Sequence, residues 1–335
     1  MKQILVTGGF GFIGGHLIER LLDDPNNHVH VVDNLSSCPI PYPLLIDELE
    51  HPPNLTYETI SIWEFFHISS KNLCVYDEIY HLASPVGPAG VLQHAGQMIG
   101  NVVDDIYLLI NLALREDAKL VDVSTSEVYG GGAGGLCAEG LDKIISADTT
   151  VRLEYAIAKL AAETAIINTC KVNPLRASIV RPFNVAGPRQ SGVGGFVLPR
   201  FIDQAMRGEP LTVFGDGNQV RAFTHVADIV DGLIRVMESG QSGEAYNLGN
   251  PINKTSINEM ANRVNDITGN QAGVTYVDPK DIFGDLYAEG AEKYPDARKA
   301  ISELGWSPKY GIIATITDAL RYQKSCNTLT AAKTS

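Results

Sequence analysis

The sequence predicts an α/β fold, a doubly wound parallel sheet followed by a smaller C-terminal α/β lobe, and three observations predict it. Short apolar runs alternate with longer helical patterns through the first half, a glycine cluster joins the first run to the first helix, and the alternation loosens after about residue 180 into pieces punctuated by Pro and Gly. Such alternation makes parallel βαβ units with helices on both faces of the sheet. In order, "QILVTG" reads as the first strand, Phe12 to Leu22 as the first helix through Ile13, Leu17, Leu21 and Leu22, and "HVHVVD", "NLTYETI" and "EIYHLA" as the next three strands. Gln97 to Arg115 reads as a helix and "AKLVDVST" as the strand after it, with Val121 and Val123 as core positions. "ASIVRPFNV" supplies a further strand, and helical patterns near Ser256 to Thr268 and Ile313 to Tyr322 belong to the second lobe. The expected division is a first domain over residues 1–180, a lobe over 181–325 with segments returning to the first domain, and a flexible tail over 326–335.

Composition narrows the function classes. A chain of 335 residues with 44% hydrophobic content buries a substantial core. Its formal charge of -13 argues against a nucleic-acid surface, so an anionic ligand needs a local pocket of arginines and helix N-termini. Five scattered cysteines, odd in number and without metal-site or disulfide spacing, suit a reduced cytoplasmic setting. No apolar run approaches the ~20 residues of a membrane span, so the chain reads as soluble and unexported. His16, His28, His81 and His225 have no metal-ligand spacing and read as structural, with no metal site expected; Trp63 and Trp306 read as packing residues.

The glycine cluster carries the first chemistry. Gly9, Gly11 and Gly14 spell GxGxxG, and Gly8, Gly11 and Gly14 the variant spaced by three. Between a strand and a helix, such a turn lets backbone N–H groups and the helix N-terminus reach a pyrophosphate. Asp33 ends the second strand, 19 residues after Gly14, where a ribose-binding acid belongs. A carboxylate there accepts from both ribose hydroxyls and repels a 2′-phosphate, which favours NAD over NADP. The predicted fold is thus a Rossmann-type doubly wound parallel sheet.

The strand "VDVSTSEVYGG" runs out into Thr125, Ser126 and Glu127, polar groups at the rim of a buried sheet, and the glycine-rich Gly130 to Gly135 reads as a loop beside them. Tyr155 and Lys159 stand four apart in "RLEYAIAKLAAE", on one helix face. A phenol of pKa ~10 becomes a base at neutral pH only beside positive charge, which Lys159 and an oxidised nicotinamide supply.

With "TGGFGFIG", "HLASP", "STSEVYG", Tyr155 and Lys159, "RPFNVAGPR", "RAFTHVADIVDG" and "NLGNP" in this order over nearly the whole length, the chain resembles an extended short-chain dehydrogenase/reductase of the NAD-dependent nucleotide-sugar epimerase/dehydratase kind. The resemblance implies that Tyr155 takes the proton of the sugar C4 hydroxyl, Thr125 hydrogen-bonds that oxygen, and Lys159 holds ribose and lowers the tyrosine pKa. It implies NAD contacts from Gly8, Gly11, Phe12, Ile13, Asp33, Asn34, Leu82 and Ala83, besides Tyr155 and Lys159. It assigns Asn184 and Arg221 to the diphosphate, the region from Phe196 to Phe201 to the base, Ser126, Arg152 and Lys293 to the sugar end, and the C-terminal lobe to substrate binding. It also implies a homodimer built on the helices around Gln97 to Arg115 and Arg152 to Cys170.

Glu127 bears on which reaction is run. A 4-epimerase has no use for a carboxylate at C5; a 4,6-dehydratase uses one to remove the C5 proton; a uronate decarboxylase loses the C6 carboxylate as carbon dioxide from a β-keto acid. Arg152, three residues before Tyr155, together with "HLASP", "STSEVYG" and "RAFTHVADIVDGL", resembles UDP-glucuronate decarboxylases most, with dehydratase and epimerase as alternatives. Two departures stand out: "EKYPDARKA" has Lys293 where that branch has arginine, losing the bidentate fork, and "TISIWE" has Ser61 where an Asp is usual near adenine. The non-enzymatic alternative is an NAD-binding sensor or scaffold, against which the presence of Thr125, Tyr155 and Lys159 together weighs.

Overall fold

The computed structural model describes residues 1–37, 42–68, 75–130, 135–192, 194–290 and 292–334. The first half runs β1 (Lys2–Thr7), α1 (Phe12–Leu22), β2 (Asn27–Val32), α2 (Tyr42–Glu48), β3 (Leu55–Glu58), α3 (Ile62–Ile68), β4 (Glu78–His81), α4 (Gly87–Gln93), α5 (Met98–Glu116) and β5 (Lys119–Val123). A 3-10 turn over Ser126–Tyr129 leads to β6 (Gly135–Cys137), α6 (Val151–Val172), β7 (Arg176–Pro182) and β8 (Val185–Ala186). Then come α7 (Val197–Met206), β9 (Leu211–Phe214), β10 (Val220–Ala222), β11 (Thr224–His225), α8 (Val226–Ser239), β12 (Ala245–Leu248) and β13 (Lys254–Ser256). The chain ends through α9 (Ile257–Thr268), β14 (Val274–Val277), α10 (Lys280–Phe283), β15 (Lys293–Pro295), α11 (Arg298–Leu304) and α12 (Ile312–Thr334).

Seven strands form one sheet in the order β12-β7-β5-β4-β1-β2-β3, every pair parallel. Because strands such as "ILVT" and "LVDV" are buried on both faces, their apolar residues run nearly unbroken instead of alternating with polar ones. Ile4, Val6, Val29, Val31, Val121 and Val123 pack with α1, α8 and α11 on one face. Leu5, Ile79, Leu120, Ala177 and Ile179 pack with α3, α5 and α6 on the other. The strand order reverses between β1 and β4, and there the loops at the carboxyl ends of the strands part to leave a crevice.

A third core, from α7, α9, α12 and β9, carries Phe201, Met260, Val264 and Ile316 and forms the smaller lobe. The sheet's last strand, β12, is contributed from beyond residue 181. Helix α12 continues from Ile312 as far as Thr334. Among the described residues no single helix is long and apolar enough to cross a membrane.

Candidate active site

A cavity of about 930 Å³ runs from the β1–α1 turn past α6 to the small lobe. At its first end the chain leaves β1 through Gly8, whose φ of +72° suits glycine, and a Cβ there would sit 2.6 Å from the Ala83 backbone nitrogen. A Cβ on Gly14 would lie 2.2 Å from the Gly8 carbonyl oxygen. The missing side chains let α1 press onto the turn, so that Gly11, Phe12 and Ile13 bring helix N-terminal N–H groups, which have no intrahelical partners, to the cavity wall. Asp33 closes this end, accepting from the Phe10 N–H at 2.9 Å and the Leu35 N–H at 2.7 Å. Burial raises its pKa against those two hydrogen bonds. Asn34, Leu82 and Ala83 line the same stretch. A cradle this close to the backbone, facing a strand-end carboxylate, fits a dinucleotide. Ser61 lines the wall too, but its hydroxyl and N–H both donate to Glu64 at 2.8 Å.

The middle of the cavity is lined by Thr125, Tyr155 and Lys159. Thr125 follows β5 and caps the 3-10 turn, accepting from the Glu127 N–H at 3.2 Å. The cap aims the short turn into the cavity, which explains why the strand ends in polar residues. Helix α6 begins at the Thr150 cap and brings Tyr155 and Lys159 to the sheet edge on consecutive turns. The Tyr155 hydroxyl shares a hydrogen bond with Thr125, and burial holds its pKa above the ordinary value against that bond. Lys159 is 1% exposed and donates to the Val123 carbonyl at 2.9 Å. Burial lowers its pKa.

Further along the cavity, Glu127 is gripped by two cations. Arg152 donates from Nε and Nη2 to its two oxygens, both at 2.9 Å, and Lys293 Nζ donates at 2.8 Å. Burial works to raise the Glu127 pKa, but the Arg152 and Lys293 charges and hydrogen bonds overcome it and hold the carboxyl far below the usual range. Lys293, itself pushed down by burial, is carried by β15, which pairs with β6 beside the 3-10 turn. Ser126 is buried in the same wall. Two cations against one carboxylate leave one net positive charge, carried to the cavity wall by Arg152, whereas Lys293 is not on that wall.

Asn184 and Arg221 line the cavity further on. Asn184 donates to the Ala222 carbonyl at 3.3 Å, and Arg221 donates to Glu289 at 2.6 Å and the Gly290 carbonyl at 2.7 Å. Of the stretch from Phe196 to Phe201, the residues Phe196, Val197, Leu198 and Arg200 face the cavity. Phe201, by contrast, is fully buried in the small-lobe core because its helix turns it inward. Trp63 is 56% exposed at the cavity rim, stacked on His67, whereas Trp306 is buried as a packing residue. The loop expected at Gly130 to Gly135 lies, over residues 131–134, outside the described residues.

Sequence reasoning missed the segment carrying Tyr287, Ala288 and Glu289, which closes the cavity over Arg152 and Arg221. It contains no motif; the one sign was Gly290, where a Cβ would lie 2.4 Å from the Arg152 guanidinium. Arg200, within the stretch expected to hold the base, packs over the Phe214 ring at 3.8 Å.

Residues 4–249 match the NAD dependent epimerase/dehydratase family. A UDP-N-acetyl-alpha-D-glucosaminuronate decarboxylase of Bacillus cytotoxicus is 33% identical over 304 residues, covering 90% of each chain. UDP-glucuronic acid decarboxylase 6 of Arabidopsis thaliana is 34% identical over 318 residues, 92% of this chain and 84% of that one. Among solved structures, UDP-glucuronic acid 4-epimerase from Bacillus cereus, in complex with UDP-glucuronic acid and NAD, superimposes with a TM-score of 0.82 at 27% identity, over 97% of this chain and 99% of that one. These matches span nearly the whole chain, which belongs to the NAD-dependent epimerase/dehydratase family of enzymes.

Proposed function

We propose that the protein decarboxylates a UDP-linked uronic acid, UDP-glucuronate first, by transient oxidation at C4. The observation that carries this reading is the Arg152–Glu127–Lys293 cluster. A glutamate fixed by two cations is too weak a base to remove a C5 proton, which disfavours 4,6-dehydration. The surplus positive charge beside it suits a sugar carboxylate at C6. The named relatives act on uronates, as their own names state.

NAD supplies the hydride acceptor at C4 and the donor that restores it. Gly8, Gly11, Phe12 and Ile13 hold its pyrophosphate, Asp33 and Asn34 the adenosine ribose, and Leu82 and Ala83 the wall beneath it. Tyr155 takes the C4 hydroxyl proton and returns it, with Thr125 fixing that oxygen and Lys159 making the phenolate accessible. Once C4 is a ketone the C6 carboxylate is β to it, and carbon dioxide leaves with the C5–C6 electrons entering an enolate. C5 then takes a proton from solvent, so one proton is consumed per turnover. Asn184 and Arg221 hold the diphosphate, and Ser126, Arg152 and Lys293 the uronate.

The α5 and α6 surface, with Tyr107, Ile145 and Val172 exposed, supports a homodimer. The free Cys137 and Cys170 suit the cytoplasm. Proton NMR of the protein with NAD and separately UDP-glucuronate, UDP-glucose, UDP-N-acetylglucosamine, GDP-mannose and dTDP-glucose tests the reading. A pentose nucleotide from UDP-glucuronate alone supports it; a 4-epimer or a 4-keto-6-deoxy sugar from any tube rules it out.

A further inference from the structure

Beneath the Tyr155–Lys159 helix lies a polar row the chemistry so far leaves unused. The ladders of β1, β4 and β5 end on Thr7, His81 and Asp122, paired across the sheet and all buried. Strand alternation points them to the α5/α6 face, as it does Leu5, Ile79 and Leu120 two residues earlier. His81 Nδ1 lies 2.7 Å from Thr7 Oγ1, and His81 Nε2 3.9 Å from Asp122 Oδ1. Asp122 is 1% exposed, and among the described residues neither of its carboxylate oxygens has a hydrogen-bond partner.

Facing this row from α6 is Lys159, an enclosed ammonium bonded to the Val123 carbonyl. Two other acids are near. Glu163 on α6 is committed to Arg181, at 2.6 and 2.9 Å, and to Ser124 at 2.5 Å. Asp105 on α5 lines the cavity; burial pushes its carboxyl up to about 6 and the Lys159 charge opposes that. An enclosed carboxylate without hydrogen bonds and an enclosed ammonium without an ion-pair contact are each costly alone, and each lowers the cost of the other.

We propose that Asp122 is the counter-charge of Lys159: seated beside the His81–Thr7 pair, it keeps the ammonium charged against the sheet, and through Lys159 it is a positioning residue for Tyr155. The electrostatics agree. Burial pushes the Asp122 carboxyl up to about 6 and the Lys159 charge opposes that. Burial lowers Lys159, and Asp122 is the strongest charge working against it, ahead of Asp105 and Glu163. His81 is pushed down to about 3 by burial and by the Lys159 charge, so the ring beside Asp122 is neutral.

The proposal rests on reading Tyr155 and Lys159 as the acid–base pair, so its test contains no sugar nucleotide. Tyrosinate absorbance of the NAD-bound protein is titrated with pH, and the same titration of a Tyr155→Phe background is subtracted to isolate Tyr155. Because Asp122 keeps Lys159 charged and that charge favours the phenolate, Asp122→Asn and Asp122→Leu should each raise the Tyr155 midpoint by about one pH unit. Both variants also leave a buried ammonium without its counter-charge and should melt below the wild type. A purely structural Asp122 lowers the melting temperature and leaves the midpoint unmoved, and a direct charge effect on Tyr155 that bypasses Lys159 lowers the midpoint. An unmoved or lowered midpoint in either folded variant overturns the proposal, and so does a wild-type melting temperature in Asp122→Leu.

Discussion

Glu127 accepts three hydrogen bonds from two cations, and this one side chain divides the possible reactions. Its folded pKa lies below its ordinary value of 4.5, so its stabilisation is complete above that value and is lost as pH falls toward the folded one. Glu127→Gln leaves Arg152 and Lys293 unneutralised and should cost about 2 kcal/mol above pH ~6, a difference that shrinks in denaturant titrations below pH ~4. Lys293→Arg keeps the charge and adds a fork, and turnover should survive it. Lys293→Ala should cut kcat/KM for the uronate about 30-fold, or about 2 kcal/mol, mostly through KM. Tyr155→Phe should lower kcat at least about 100-fold while NAD binding, followed by calorimetry, persists; full turnover in that variant would support the scaffold reading. Thr125, Tyr155 and Lys159 were legible in the sequence because helix spacing and one capped turn fix them locally. Lys293 could be noticed only by its motif, and its bond to Glu127 depends on the β6–β15 pairing that no local pattern encodes.

Among the elements, the β1–α1 turn was the most readable, since glycine spacing states directly where backbone must meet backbone. Gly14→Ala would push a methyl to 2.2 Å from the Gly8 oxygen, so α1 must shift away from the turn. NAD affinity should fall at least about tenfold by fluorescence titration, with a lowered melting temperature; unchanged affinity would show that the helix N-terminus is not the pyrophosphate site. Strands were readable for the same kind of reason: β5 is apolar on both faces up to Leu120 and Val121, then places Asp122 inward. What was not readable is the row Thr7, His81 and Asp122, because it exists only in the register of three strands far apart in sequence. The cavity cover near Ala288 was hidden for a similar reason, being irregular chain held by Arg152 and Arg221.

For the whole molecule, the seven-stranded sheet sets the site and the small lobe encloses it. The fold class followed from alternation alone, whereas the length of α12, which runs to Thr334, did not. Exposed Tyr107, Ile145 and Val172 on and beside α5 and α6 belong to a surface expected to be covered by a second copy. Sedimentation equilibrium should give twice the 36.2 kDa chain mass, and Tyr107→Glu should halve it; a wild-type monomer would refute that assembly. The central claim, loss of the uronate carboxylate after C4 oxidation, is tested most directly with UDP-glucuronate labelled with carbon-13 at C6. The account predicts that the label leaves the sugar and accumulates as bicarbonate with NAD bound to the wild type, and stays on the sugar in Tyr155→Phe. Label retained on a 4-epimer formed by the wild type would contradict it.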